Sequence, residues 1–164
     1  MAKKSSGKKS AAGKASAKDA QVVMQLYDLR REAKMREARN YLVMDFKPES
    51  AEDWIKVATA FGTKENTYFR QVFSYWSMAA SLVLHGAVDK ELFNEWAGEM
   101  YFMWAKLQPH INELRRAMGI PEFLQNIENL IEGDAQGRKR RQTMQERQKR
   151  FREMAAAAGK ASSG

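Results

Sequence analysis

The chain has 164 residues, 44% of them hydrophobic and 10% aromatic, with a formal net charge of +8 at pH 7. That length suits one domain with tails rather than two full domains. There is no cysteine, which excludes disulfides, thiolate metal sites and a cysteine nucleophile, and only two histidines, His85 and His110, are present for imidazole chemistry.

The charge is concentrated at the ends. Residues 1–20 hold six lysines (Lys3, Lys4, Lys8, Lys9, Lys14 and Lys18) against one aspartate, so +5. Residues 138–164 hold nine Lys/Arg against two glutamates, so +7, which leaves −4 for residues 21–137. Residues 1–18 contain only Met, Ala, Lys, Ser and Gly. Such a segment has no apolar area to offset its ordering entropy, and disorder is expected for it. It also lacks the apolar run of a secretory signal.

From Asp19, an N-cap residue type, the pattern turns helical. Val22, Leu26, Leu29 and Ala33 make one stripe, and Met35, Ala38 and Leu42 make a second one out of phase. The slip near Glu32–Met35 predicts a kink or two successive helices, closed by Pro48. Ser50 and Asp53 form a weak capping box for a short helix carrying Trp54, Ile55, Val57, Ala58 and Phe61, which Gly62 stops. Lys64 to Leu84 is apolar over more than half its circumference, so a central buried helix is expected. The longest uncharged stretch, Gln71 to Leu84, has fourteen residues, short of the roughly 18–20 a spanning helix needs.

After a turn at His85-Gly86-Ala87-Val88, Asp89 caps the most periodic segment. Phe93, Ala97, Met100, Trp104, Leu107, Ile111, Leu114 and Met118 are spaced 4, 3, 4, 3, 4, 3 and 4, a seam for antiparallel bundle packing interrupted at Pro109. Gly119 ends it, and Pro121 fits the first position of a further helix running to about Glu132. Gly133 to Gly137 reads as a linker. Residues 138–158 are helix-forming, but Met144, Phe151 and Met154 are too sparse for a core-facing stripe, and residues 159–164 are expected to be disordered. No window alternates with period 2.

Glu91, Glu95 and Glu99 recur every fourth residue, a stack of carboxylates able in principle to hold a divalent metal. The two Glu-x-x-His pairs of a di-iron bundle are missing; His110-Ile111-Asn112-Glu113 is a single reversed match, and the stack reads better as a solvated acidic face. His85 and His110 read as structural. Trp76, Trp96 and Trp104 fall on or beside apolar stripes, which makes them core, whereas Trp54 is expected to be partly exposed. No dinucleotide, Walker-type, nucleophile-elbow or zinc-protease motif occurs, and no cofactor or metal is called for.

The basic residues carry the functional expectation. Arg138, Lys139, Arg140, Arg141, Arg147, Lys149, Arg150 and Arg152, together with the six N-terminal lysines, could track a phosphate backbone through steeply salt-dependent, sequence-independent contacts. Two competing readings are a solubilising tail and attraction to anionic lipid. Lipid ranks below nucleic acid because this helix lacks the apolar face that interfacial insertion requires.

Three segments resemble a known family: Gln25-Leu26-Tyr27-Asp28-Leu29-Arg30-Arg31 with Met35-Arg36-Glu37-Ala38-Arg39; His85-Gly86-Ala87-Val88-Asp89-Lys90-Glu91-Leu92-Phe93; and Trp104-Ala105-Lys106-Leu107-Gln108-Pro109. They resemble a bacterial family of short helical proteins known as a domain of unknown function, over about residues 22–131. The resemblance implies an all-helical fold and supplies no catalytic residues. Members often carry an N-terminal membrane anchor, where this chain has its lysine-rich tail.

The expected architecture is all-α: a disordered tail (1–19), a compact antiparallel bundle of about four to five helices (20–132), and a linker, basic helix and disordered end (133–164). The leading functional expectation is a cytoplasmic, non-enzymatic interaction module whose tails contact nucleic acid or another polyanion and whose body meets a protein partner or a second copy. The alternative is a small-molecule- or metal-binding bundle, an enzyme included, with a pocket near Pro109 lined by Glu95, Glu99 and His110, or peripheral contact with an anionic membrane.

Overall fold

The computed structural model describes residues 15–161. Among them there is no strand, and nine α-helices follow one another: α1 (Ala17–Arg31), α2 (Ala33–Asn40), α3 (Ala51–Thr59), α4 (Lys64–Leu84), α5 (Lys90–Trp96), α6 (Gly98–Leu107), α7 (Ile111–Met118), α8 (Gln125–Glu132) and α9 (Ala135–Ala161). A π-helical turn (Tyr41–Asp45) extends α2, and a 3₁₀ turn (Gln108–His110) joins α6 to α7. The helices are more numerous and shorter than the expected four to five, because several periodic segments break where local geometry fails.

The first break is at Glu32, whose ψ of 142° ends α1 while its carboxylate accepts the Met35 N–H at 3.0 Å and caps α2. This is the origin of the phase slip. The heptad seam breaks twice. Ala97 leaves helical geometry at ψ 17°, and Pro109 tightens the chain into the 3₁₀ turn. The seam nevertheless stays continuous as a buried row, since Phe93, Ala97, Met100, Trp104, Leu107, Ile111 and Leu114 are all at most 3% exposed.

Three boundaries differ from expectation. Ser16, not Asp19, is the first N-cap; Asp19 is its capping-box partner and also accepts the Asp89 N–H at 2.9 Å, tying α1 to the start of α5. Residues 121–124 form turns rather than the first turn of α8. Leu124 sits in the left-handed region at φ 60°, and Arg115 donates to the Phe123 carbonyl at 2.9 and 3.0 Å and to Glu128 at 2.8 Å, fixing that turn. The linker shrinks to Gly133 and Asp134, and α9 starts at Ala135.

Helix α4 is the hub, packed against α2, α3 and α8, while α6 packs against α8 and α9. Trp54 is fully buried, against the expectation of partial exposure. Phe46, beyond the π turn, folds back onto its ring edge-on at 4.9 Å, and Phe69 and Phe73 of α4 close the other side at 6.2 and 6.0 Å. A second aromatic cluster joins Tyr75 and Trp76 of α4 to Phe93 and Trp96 of α5. Residues 15–133 thus enclose one continuous apolar core.

Candidate functional site

Of the cationic residues singled out in the sequence, Lys3, Lys4, Lys8, Lys9 and Lys14 lie outside the described residues. Lys18 is exposed in the first turn of α1. The cluster on α9 divides in two. Arg138 donates to the Glu132 carbonyl at 2.6 Å. Arg140 donates to the Asn94 carbonyl at 2.6 Å and lies 4.3 Å over the Tyr101 ring. Arg141 pairs with Glu132 at 2.9 Å and bonds Gln145 at 2.8 Å. These three are joints that hold α9 to the body, and a phosphate could engage them only by displacing those bonds. Lys139, Arg147, Lys149, Arg150 and Arg152 are exposed, and among the described residues only Lys149 of this set has a carboxylate within reach, Glu153 at 4.0 Å.

The near half of α9 therefore belongs to the globule. Gly137, Arg141, Met144, Gln148 and Phe151 recur with spacing 4, 3, 4 and 3, and this stripe faces the body down to Gln148. Gln148, 7% exposed, donates to the Phe102 carbonyl at 2.8 Å, and Gln145 donates to the Ala105 carbonyl at 3.2 Å. Glu132 ties three helices together, since its carboxylate also accepts the Trp104 indole N–H at 2.8 Å. Reading only apolar residues misses this stripe, because Gly137 offers no side chain, Arg141 is held by Glu132, and Gln148 is bonded to α6 backbone. From Lys149 to residue 158 every side chain is exposed.

The acidic stack is not a single face. Glu91 and Glu95 are exposed on α5. The break at Ala97 turns Glu99 inward, where it meets Arg30 at 3.0 Å and Arg39 at 2.6 and 2.8 Å. Burial would raise the Glu99 carboxyl, but the Arg39 hydrogen bond and the two guanidiniums outweigh it and hold the group below the ordinary glutamate range. No group of three or more Asp, Glu or His side chains placed to share a metal ion occurs among the described residues, and the expected solvated acidic face holds for Glu91 and Glu95 but not for Glu99. Of the three residues expected to line a pocket near Pro109, Glu99 lines a cleft to which Glu95 and His110 do not contribute.

That cleft lies between the π turn, α6 and the middle of α9. It has a volume of about 290 Å³ and is walled by Val43, Phe102, Met144 and Phe151, with Glu99 and Arg147 at its edges. A shallower hollow continues from it past Val43 and Glu99 to Arg36, Arg39 and Met44. The π turn sets one wall. It inserts an extra residue after α2, so that the Phe46 N–H reaches back to the Tyr41 carbonyl at 2.8 Å. Carbonyls freed there are taken by Lys106, whose ammonium donates to Leu42 at 2.9 Å and to Phe46. Burial, with Arg152 and Lys47 nearby, brings the Lys106 amine down to about 8. Only the cleft's components were visible in sequence; the π turn that joins them has no residue signature.

The model of a family described as a domain of unknown function (DUF4760) matches residues 15–133. No curated protein and no solved structure matches.

Proposed function

The chain belongs to this family of unknown function, and from that premise we propose that it is a non-enzymatic helical interaction module whose cationic extensions contact polyanions, nucleic acid first. The observation that carries this reading is the free half of α9. It presents the exposed Lys149, Arg150 and Arg152, with Lys139 about three turns nearer the body. Four cations with at most one distant carboxylate among them have not been spent on internal pairing. The N-terminal lysines would add a second arm of the same sign. Phosphate contacts of this type are worth little singly and gain affinity by releasing counterions together.

The test is a salt titration of duplex DNA binding, followed by fluorescence anisotropy, with the full chain and a Lys149→Gln/Arg150→Gln/Arg152→Gln variant. These side chains are exposed, so folding should be unaffected, and circular dichroism would check that. The slope of log K against log salt should fall by about 2–3 in the variant, on the scale of roughly 0.9 per phosphate contact. An unchanged slope, or no binding by the parent chain at low salt, would overturn the proposal.

A further inference from the structure

We propose that the cleft between the π turn, α6 and α9 is a binding site for an amphiphilic monoanion, a molecule with one carboxylate or phosphate head and an unbranched apolar tail. The inference is separate from the polyanion reading, because it rests on the cleft that the body forms with the middle of α9, whose lining does not include Lys149, Arg150 or Arg152.

Three features point to this class. The walls supplied by Val43, Phe102, Met144 and Phe151 are apolar, and the volume of about 290 Å³ sits at the lower limit of small-ligand sites, enough for a short chain and not for a drug-sized molecule. The edge is cationic. Arg147 borders the cleft and Arg36 borders its continuation, and neither makes an ion pair or side-chain hydrogen bond among the described residues. Glu99, the one carboxylate there, is already matched by Arg30 and Arg39, so it leaves the local balance positive. An apolar molecule would leave the guanidiniums unused, and a compact anion would leave the walls wet; a molecule with both parts satisfies both.

The walls also suit a flexible tail. Met144 is an adaptable thioether side chain, Phe151 in the wall is 61% exposed, and Met44 (62%) lines the continuing hollow. A second copy of this chain fits less well, because it would bring Arg36, Arg147, Arg150 and Arg152 against the same cations.

The experiment labels the methionine methyls of the full chain with carbon-13 and titrates decanoate below its micelle concentration, with decanol as the uncharged control. The expected result is a saturable shift of Met144 and Met44 with Met78, exposed on α4, unmoved. Decanol should bind at least tenfold more weakly, and an Arg36→Glu/Arg147→Glu variant should lose decanoate about tenfold while keeping its other resonances. Equal binding of decanol and decanoate, a uniform drift of all methionines, or no shift at Met144 would each overturn the proposal. Phosphatidylglycerol vesicles distinguish the source of the ligand. Shifts at the same methyls on vesicles assign the head and tail to a bilayer lipid, and shifts with monomeric decanoate alone assign them to a free acid.

Discussion

Lys106 shows how one side chain can stabilise geometry and still carry an electrostatic cost. Its ammonium satisfies carbonyls that the π turn leaves without helical partners, and it lies 5.4 Å over the Phe46 ring. The same burial disfavours the charge, and the amine titrates near 8 in the folded chain against an ordinary value of 10.5. Between those two values the unfolded chain binds more protons than the folded one, so stability from this residue rises with pH there. Tyr75 works the other way, because its hydroxyl is pushed up to about 12 from 10, and its contribution is present below pH 10 and lost as pH rises through 12. The window that isolates Lys106 is therefore from about pH 8 to about 9.5. Urea unfolding across it should show stability rising with pH in the parent chain and a flatter profile in Lys106→Met. A parent profile as flat as the variant's would contradict the assignment.

At the scale of elements, the helices legible from sequence were those whose signals are local. Ser50 with Asp53, Asp89 before Leu92, and the apolar arc of α4 all rest on spacings within one turn or one stripe, and each is present in the structure. What the sequence hid depends on partners far along the chain. Trp54 is buried because Phe46 returns across Pro48 to cover it, and Glu99 is buried because Arg30 and Arg39 converge on it from α1 and α2. The glycine at 137 had the same ambiguity. Placed between polar residues it read as linker, yet it is buried inside α9 at the crossing with α8. A Cβ there would stand 2.0 Å from the Ile131 carbonyl oxygen and 2.9 Å from its carbon. Backbone cannot yield as a side-chain tip can, so α9 would have to lift. Gly137→Ala should cost about 1–3 kcal/mol in chemical denaturation, the range of an overpacked contact, despite the helix preference of alanine. An unchanged or raised midpoint would mean that α9 does not approach α8 this closely.

At the scale of the whole molecule, the partition into an acidic body and basic tails holds for charge and fails for packing. The family match ends at residue 133, two residues before α9 begins, yet α9 covers the α6 face through Met144, Gln145 and Gln148 and is pinned by Glu132 from α8. Net charge along a sequence describes solubility and attraction to polyanions; it does not report which cations are already bound to carbonyls, carboxylates and rings. Arg138, Arg140 and Arg141 are of that kind, and they account for part of the surplus positive charge that marked the segment as a tail. The consequence can be measured by truncation. Ending the chain after Met154 removes, of the side chains the structure describes, only the exposed ones of residues 155–158, and should leave the thermal midpoint within a degree or two of the parent. Ending it after Gly133 uncovers Tyr101, Phe102 and Ala105 and frees Trp104 and Glu132 from the Arg141 joint, so the midpoint should fall by several degrees and the body should bind a hydrophobic dye. Equal midpoints for the two truncations would return the whole of α9 to the status of a tail, and with it Arg138, Arg140 and Arg141 to the pool of cations open to a polyanion.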